Sequence, residues 1–207
     1  MKGVIPVSAT DRINAFLHAA SYRFAAHDSD IARRVSSALQ VTQTTPPALL
    51  GAALPACSSL PDLLSVPHDD LAMRLLACAP DLHWRRAGFG KLASVTEETL
   101  AVTEIIGPSG MFPHSDLRFG LLVQREGFHY PRHQHAAEEL YFILEGTAHW
   151  AAEDHPPMPR APGSFVHHAA FQPHSMITRS EPMLAMWAWV GDIEGTSYSL
   201  KTSISKG

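Results

Sequence analysis

Three side chains that could bind a metal ion lie close together between Gly127 and Gly146. His133 and His135 are two residues apart, so on a β-strand their side chains project from the same face. Glu139 follows after a short break and is expected to return on a neighbouring strand, where its carboxylate meets the two imidazoles. Two imidazoles and a carboxylate directed into one cavity form the ligand set of a divalent transition-metal site. The spacing therefore predicts a metal centre, and we expect the function to reside there.

A fourth ligand is expected from the histidine-rich stretch further along the chain. Of the thirteen histidines, eight fall between residues 129 and 174. His174 directly follows Pro173, which stiffens the backbone and suits a side chain whose ring must be aimed. His167 and His168 are alternatives, because either could lie on the strand that leads into this loop. We favour His174.

Two tyrosines are expected beside the same site. Tyr141 is two residues past Glu139 and shares its inward face on a strand, and Tyr130 precedes the histidine pair and is expected at the pocket wall. A phenol beside a cation has a lowered pKa, because the anionic form is favoured. Such a phenol could bind the metal or act as a general base. The alternative is an ordinary sheet tyrosine with its hydroxyl at the rim.

The tryptophans of this half of the chain have two interpretations. Trp187 and Trp189 share a face if residues 183–190 form one strand, and Trp150 is the third large indole of the region. All three could be core residues. Alternatively, their rings could form a wall that holds a cationic group by cation–π attraction.

Short β-type runs separated by turns begin at about residue 88. The clearest runs are residues 117–123, 139–144 and 183–190. Evenly spaced short strands predict a small barrel or jelly roll rather than βαβ units.

The first part of the chain is expected to be helical. One helix is predicted through residues 12–17 with Ser8 or Thr10 as its cap. A second is predicted through 31–40, starting after Asp28 or Ser29, and a short third helix follows Asp69 and Asp70. Prolines make the stretch between the second and third helices irregular.

Composition and charge exclude several classes of partner. The chain has 207 residues, 45% of them hydrophobic, and a net charge of −4, so it has no general attraction for phosphate polymers or anionic lipid. No apolar run is long enough to cross a bilayer, and the amino terminus has no hydrophobic signal core. Cys57 and Cys78 have neither metal nor redox spacing and are expected to be small buried residues. The sequence thus predicts a cytoplasmic protein.

The segment from Gly127 to Gly146 resembles the first motif of the cupins, whose fold is a double-stranded β-helix with the metal inside. The longer string from Tyr130 to Tyr141, together with a helical amino-terminal part, resembles the cupin-type dimethylsulfoniopropionate (DMSP) lyases of the DddQ-like group. The resemblance implies a mainly β protein, a cupin jelly-roll barrel with an α-helical amino-terminal region. We expect residues 1–85 to form a helical region that packs on the barrel and residues 86–207 to form the metal-binding barrel.

The resemblance also implies site residues and one divalent metal ion per chain. The residues expected around the metal are His135, Glu139, Tyr141 and His174, and those expected to complete the active site are His133 and Tyr130. Zinc, iron, manganese and nickel all suit these ligands.

The implied activity is a metal-dependent lyase that cleaves the carbon–sulfur bond of DMSP by β-elimination and releases dimethyl sulfide and acrylate. Tyr130 is assigned as the base and Tyr141 as its metal-side partner, and the reverse assignment stays open. One departure concerns the substrate: the second cupin motif has a glycine where this chain has Phe171. The turn before His174 must be made without glycine, and Phe171 is expected to narrow the pocket.

Other functions remain alternatives. The same ligands suit a cupin oxygenase or isomerase that acts on another small carboxylate. A ligand-sensing cupin whose helices bind DNA is disfavoured, because residues 1–85 carry seven Lys/Arg and seven Asp and so have no basic surplus. The expected partner is a small zwitterionic or carboxylate substrate, with no nucleic acid and no membrane. The helices are expected to cover one barrel opening or to form a homodimer contact.

Overall fold

The computed structural model describes residues 7–48 and 54–201. Residues 1–6, on which the absence of a signal core was judged, lie outside the described residues. Within the described part, four α-helices precede the strands: α1 (Ala9–Ala25), α2 (Asp30–Leu39), α3 (Leu60–Leu63) and α4 (Asp70–Cys78). The same part contains eleven strands: β1 (Trp84–Arg85), β2 (Leu100–Ile106), β3 (Leu117–Gln124), β4 (His129–Gln134), β5 (Ala137–Glu145), β6 (Ala148–Ala152), β7 (Met158–Arg160), β8 (Phe165–His168), β9 (His174–Thr178), β10 (Met183–Gly191) and β11 (Ser199–Leu200). Short 3₁₀ helices lie at Pro55–Ser59, Ala79–Asp81, Gly88–Gly90, Ser94–Glu98 and Gly195–Ser197.

Side chains cap three of the helices. Ser8 Oγ accepts a hydrogen bond from the Asp11 backbone N–H at 3.1 Å, and the Asp11 carboxylate accepts one from the Ser8 backbone N–H at 3.4 Å. This capping box satisfies polar groups that the start of a helix leaves unpaired. Ser29 and Asp69 accept equivalent hydrogen bonds at the starts of α2 and α4. The three predicted helices are confirmed, and the first is longer than expected. None of the helices in the described ranges is both long and apolar enough to span a membrane.

The strands form two antiparallel sheets that pack face to face. Their orders are β1-β2-β3-β10-β5-β8 and β11-β4-β9-β6-β7. Consecutive strands such as β4 and β5 lie in different sheets, which is typical of a jelly roll rather than of a simple meander. The double-stranded β-helix barrel is therefore confirmed, and the three predicted strands correspond to β3, β5 and β10.

The six-stranded sheet is buried on both faces, because its strands alternate between two hydrophobic clusters. In β5, Leu140, Phe142 and Leu144 belong to a cluster that also contains the buried residues of α1, α2 and α4. Tyr141 and Ile143 belong to the second cluster, which lies inside the barrel. The same strand thus faces the helices on one side and the barrel interior on the other.

The helices pack on the outside of the barrel wall and not over an opening, so that expectation was wrong. Phe24 of α1 contacts Phe119 of β3 and Phe165 of β8, with ring centroids 5.9 Å apart in both pairs. An apolar sheet face must be covered, and amphipathic helices cover it. The boundary predicted after residue 85 coincides with the end of β1, which already belongs to the six-stranded sheet. The homodimer stays a prediction.

The two cysteines behave as ordinary packing residues. Both thiols are free, with Cys78 buried and Cys57 half-buried. Burial raises the pKa of Cys57 to about 11 and that of Cys78 to about 12. The thiolates are therefore scarce at neutral pH, as expected of residues without redox or metal chemistry.

Gly146, the second glycine of the motif, is required by its surroundings. Its φ is +71°, and a Cβ added there would overlap the Pro182 carbonyl oxygen. Only glycine adopts this conformation at no steric cost and leaves room for that oxygen. The glycine thus allows the tight turn that ends β5.

Candidate metal centre and catalytic pocket

The candidate ligands come from strands of both sheets. His133 is on β4, His135 directly follows β4, and His174 begins β9, whereas Glu139 is on β5 of the other sheet. The β4–β9 pairing places His133 directly opposite His174. All four side chains are buried, with His133 and Glu139 only 2% exposed. The fold thus brings together residues from two distant segments of the chain.

The backbone holds all three histidines in one tautomer. In each, Nδ1 lies within hydrogen-bonding distance of a carbonyl oxygen two residues away: 2.8 Å for His133 and Pro131, 3.0 Å for His135 and Ala137, and 2.8 Å for His174 and Gln172. A carbonyl oxygen only accepts hydrogen bonds, so Nδ1 carries a hydrogen and Nε2 is the nitrogen left for a proton or a metal ion. This is the ring state that metal-binding histidines need.

These nitrogens converge with a carboxylate. One ring nitrogen from each of His133, His135 and His174 lies within 4.8 Å of the other two. Glu139 Oε2 lies 3.0 Å from His135 Nε2 and 3.2 Å from His174 Nε2. Buried acceptors this close repel each other unless a proton or a cation lies between them. The donor set therefore fits one divalent ion. It includes His133, which the spacing predicted as a ligand and which the family resemblance placed in the active site but not among the ligands.

The protein environment favours the protonation states that metal ligands require. Burial alone would raise the pKa of the Glu139 carboxyl, but hydrogen bonding and charge attraction from the facing His135 and His174 rings, through a proton that a metal ion would replace, outweigh it and hold that pKa well below its usual value. Burial, assisted by the nearby His174 ring, holds the pKa of His133 well below its usual value. The carboxylate is thus charged and the His133 imidazole neutral over a wide pH range, and metal binding needs both.

Trp189 orients the Glu139 carboxylate. Its Nε1–H donates to Glu139 Oε1 at 2.7 Å, and its ring lies against that of His135 with centroids 4.0 Å apart. The indole therefore occupies one carboxylate oxygen and leaves the other facing the imidazoles. Partners of this kind orient metal ligands in many sites.

The two alternative histidines are not part of this convergent group. His167 is exposed, and its Nε2 pairs with Glu138 Oε1 at 2.8 Å. His168 is buried, but neither of its ring nitrogens has a hydrogen-bond partner. Its ring stacks on that of His174 with centroids 4.0 Å apart and planes 9° apart, and burial lowers its pKa to about 2. The choice of His174 over both agrees with this geometry.

A narrow cavity of about 40 Å³ borders the convergent group. His133, Glu139 and Arg85 lie in its wall, and much of the remaining wall is aromatic: Phe89, Tyr130, Tyr141, Trp187, Trp189 and Tyr198. Trp187 and Trp189 share a face as predicted, at 6.0 Å between ring centroids, so they are buried and also form an aromatic wall. Trp150 is buried against Tyr141, at 4.6 Å between centroids, and is absent from the cavity wall.

Tyr130 has a partner that the sequence analysis missed. The Tyr198 hydroxyl lies 3.2 Å from the Tyr130 hydroxyl, and the Tyr130 ring stacks on His133 with centroids 4.3 Å apart. Tyr198 is only 1% exposed and lines the same cavity. It directly precedes β11, whose pairing with β4 brings it near Tyr130. No motif marks Tyr198, because the contact depends on the pairing of a two-residue strand.

Without a bound ion, the surrounding protein keeps both predicted site tyrosines, Tyr130 and Tyr141, protonated. Burial raises the pKa of Tyr130 and of Tyr141 well above the usual value, with further contributions from neighbouring tyrosines and the Glu139 carboxylate. The pKa of a phenol beside a cation was expected to be lowered, which is the opposite direction. The positive charge of an ion would have to offset these effects.

Phe171 does not narrow the cavity, so that expectation was wrong. It is 57% exposed and is absent from the cavity wall. Its φ is +60°, the left-handed conformation for which the family pattern uses glycine. The turn therefore forms without glycine at the cost of backbone strain, and the Phe171 backbone N–H donates to the His135 carbonyl oxygen at 2.7 Å.

The chain is similar to proteins of one known family. The chain matches the profile of the dimethylsulfoniopropionate lyase family over residues 27–185. The dimethylsulfoniopropionate lyase DddQ of Ruegeria pomeroyi is 34% identical over 135 residues, which cover 65% of this chain and 67% of that protein.

Two solved structures resemble this fold over most of the chain. A chain from the crystal structures of the DMSP lyases RdDddP and RnDddQII has a TM-score of 0.72 and 25% identity and covers 94% of this chain and 100% of its own. The crystal structure of DddQ from Ruegeria pomeroyi DSS-3 has a TM-score of 0.68 and 28% identity and covers 90% of this chain and 96% of its own. By its profile match and by its relatives, this chain belongs to the dimethylsulfoniopropionate lyase family.

Proposed function

We propose that this protein is a metal-dependent lyase that cleaves DMSP to dimethyl sulfide and acrylate by base-catalysed β-elimination. The observation that carries the proposal is one buried cavity in which a group of convergent acceptors adjoins a hydrogen-bonded tyrosine pair. Acceptors of this kind suit a cation, and a tyrosine pair suits proton transfer. Membership in the DMSP lyase family supports this substrate.

The ion would be held by His135, Glu139 and His174, with His133 and Tyr141 as the nearest further donors. When bound, it would supply Lewis-acid polarisation of the substrate carboxylate, which makes a proton on the adjacent carbon easier to remove. Zinc, iron, manganese and nickel suit these ligands. The role of the protein is to aim the Nε2 atoms of His135 and His174 at the ion and to keep the glutamate charged, as the Nδ1 hydrogen bonds and the lowered pKa of Glu139 support.

Tyr130 is proposed as the base. Its phenolate oxygen would take a proton from the carbon next to the carboxylate, the C–H electrons would form the new double bond, and the carbon–sulfur electrons would leave with dimethyl sulfide. In the neutral pair burial and Tyr198 both raise the pKa of Tyr130, but once the phenolate forms, the Tyr198 hydroxyl at 3.2 Å would turn to donate a hydrogen bond to it. His133, stacked on the Tyr130 ring, would keep that ring in place. Tyr141 would act on the metal side, since it shares the inward face of β5 with Glu139.

The aromatic wall suits the cationic end of the substrate. Trp187 and Trp189 present rings to the cavity, and ring faces attract cations such as a dimethylsulfonium group. The Phe89 ring already lies beside the guanidinium groups of Arg85 and Arg118. The cavity of about 40 Å³ holds little more than one water molecule. Side chains in its wall must therefore shift when the substrate enters.

The proposal is tested by gas-phase detection of dimethyl sulfide from purified protein and DMSP, with metal content measured by elemental analysis. Tyr130→Phe and Tyr141→Phe should each lose roughly 100- to 10,000-fold in turnover, because the proton acceptor or its metal-side partner is removed. Tyr22→Phe, on an exposed α1 side chain, is the matched control and should keep parental activity. Near-parental release of dimethyl sulfide by both variants would contradict the mechanism.

A cupin oxygenase or isomerase acting on another small carboxylate remains the alternative, because the same ligands serve it. The rate of DMSP cleavage should be equal with and without oxygen, since elimination consumes none. A protein that releases no dimethyl sulfide but consumes oxygen with another carboxylate would favour the oxygenase.

A further inference from the structure

His168 is a buried histidine that the proposed mechanism does not use. It is 1% exposed, and both ring nitrogens are buried without a hydrogen-bond partner. Burying an unpaired polar group costs free energy, so an apolar side chain would be more favourable if only packing mattered. It lies on β8 directly opposite Glu139 on β5, and thus beside the convergent acceptors.

The ring of His168 contacts one of those acceptors directly. It lies parallel to the His174 ring, with centroids 4.0 Å apart and planes 9° apart. His133 contacts the same His174 ring edge to face, with centroids 4.2 Å apart and planes 63° apart. The hydrogen bond from His174 Nδ1 to the Gln172 carbonyl oxygen fixes one edge of the ring but does not by itself set the ring plane. His168 is the neighbour that lies parallel to the His174 ring, so its face defines that plane.

We propose that His168 is a positioning residue of the metal centre, which acts through His174. Its flat face holds the His174 ring in the plane that directs Nε2 toward Glu139. It also stabilises the loaded centre, because an imidazole bound to a cation loses electron density and is attracted to the electron-rich face of a neutral ring. The inference rests on the proposed function only in requiring a bound ion, and it is independent of the substrate.

The test measures Zn²⁺ affinity of the metal-free protein by competition with a chelator, and thermal unfolding with and without Zn²⁺. His168→Leu removes the ring and should weaken Zn²⁺ binding by roughly 10- to 100-fold, as loss of other orienting partners does. His168→Phe keeps a flat ring without nitrogens and should bind Zn²⁺ with nearly parental affinity. Both variants should unfold at or above the parental temperature without metal, since each removes the unpaired nitrogens.

A matched control is available one residue away. His167→Leu changes an exposed histidine of the same strand and should leave Zn²⁺ affinity unchanged. If His168→Leu does not fold, His168→Met replaces it, because its flexible side chain fills irregular space without a ring.

The possible outcomes separate this inference from its rivals. Parental affinity in the Leu or Met variant overturns it, because the ring is then unnecessary. An affinity loss in the Phe variant as large as in the Leu variant also overturns it, because a nitrogen is then required. Lower unfolding temperatures without metal at unchanged affinity overturn it in favour of a packing role. A protein that binds Zn²⁺ with the expected pattern but does not cleave DMSP refutes the proposed function and leaves this inference standing.

Discussion

The two faces of the six-stranded sheet differ in what their residues do. On β10, the outer face carries Leu184, Met186 and Ala188, which pack with the helices, and the inner face carries Trp187 and Trp189, which line the cavity. Because successive side chains alternate, packing and chemistry are separated by a single residue along the strand. We therefore expect substitutions on the outer face to change stability and substitutions on the inner face to change metal binding or catalysis.

The largest effect is expected from the outer face. Leu140 is fully buried there, between the inward-facing Glu139 and Tyr141. Leu140→Ala should lower the free energy of unfolding by about 2–5 kcal/mol, because it removes buried methyl groups and leaves a cavity. The catalytic constants measured well below the unfolding temperature should remain parental. A changed KM with an unchanged free energy of unfolding would show that the outer face also contributes to the chemistry of the cavity.

Trp189→Phe should act on the inner face alone. It keeps a ring but removes the hydrogen bond to Glu139 Oε1, so metal affinity should fall roughly 10- to 100-fold. Trp187→Phe is the matched control, because its Nε1–H donates to the Leu121 carbonyl oxygen at 3.1 Å and not to a ligand. Chelator competition measures the metal affinity of both variants. Equal losses of affinity would show that the indole hydrogen bond to Glu139 does not determine metal binding.

A pH effect should also come from the inner face. The pKa of His168 is about 2 in the folded protein against 6.5 ordinarily, so below pH 6.5 the unfolded chain binds a proton that the folded protein does not. Stability should therefore fall as pH falls through this window.

This pH effect is measured by denaturant unfolding of the metal-free protein. Between pH 7 and pH 5, the parental protein should lose about 2 kcal/mol more than His168→Phe. Parallel pH profiles for the two proteins would mean that His168 is protonated in the folded state.

The smallest effect is expected outside both faces, at the turn before His174. Phe171→Gly should raise the free energy of unfolding by about 0.5–1 kcal/mol, since glycine adopts the left-handed conformation without strain and this exposed ring buries little area. Asp154→Gly, at an exposed position outside the left-handed region, should instead lower it by about 0.5–1 kcal/mol. Equal changes in the free energy of unfolding in both variants would mean that the Phe171 backbone is not strained.

Much of the fold followed from local patterns in the sequence. The caps at Ser8 and Ser29 mark helix starts because their side chains pair with nearby backbone groups. Short runs of apolar and aromatic residues between turns marked β5 and β10, and the spacing of His133, His135 and Glu139 predicted that these side chains meet.

The remaining features depend on contacts between distant segments. Tyr198 lies beside Tyr130 only because β11 pairs with β4, and a two-residue strand leaves no period to detect. The sequence showed that Phe171 replaces glycine, but its outward direction depends on the φ of the turn. The helices were misplaced for a similar reason, since an amphipathic face does not specify which apolar surface covers it.

The division of the candidate ligands between the two sheets has a mechanical consequence. His133 and His174 belong to one sheet and Glu139 to the other, so an ion bound by all three would cross-link the two sheets. Chelation would then loosen the closure of the barrel as well as stop turnover, and resistance to proteases would report how much metal the protein carries.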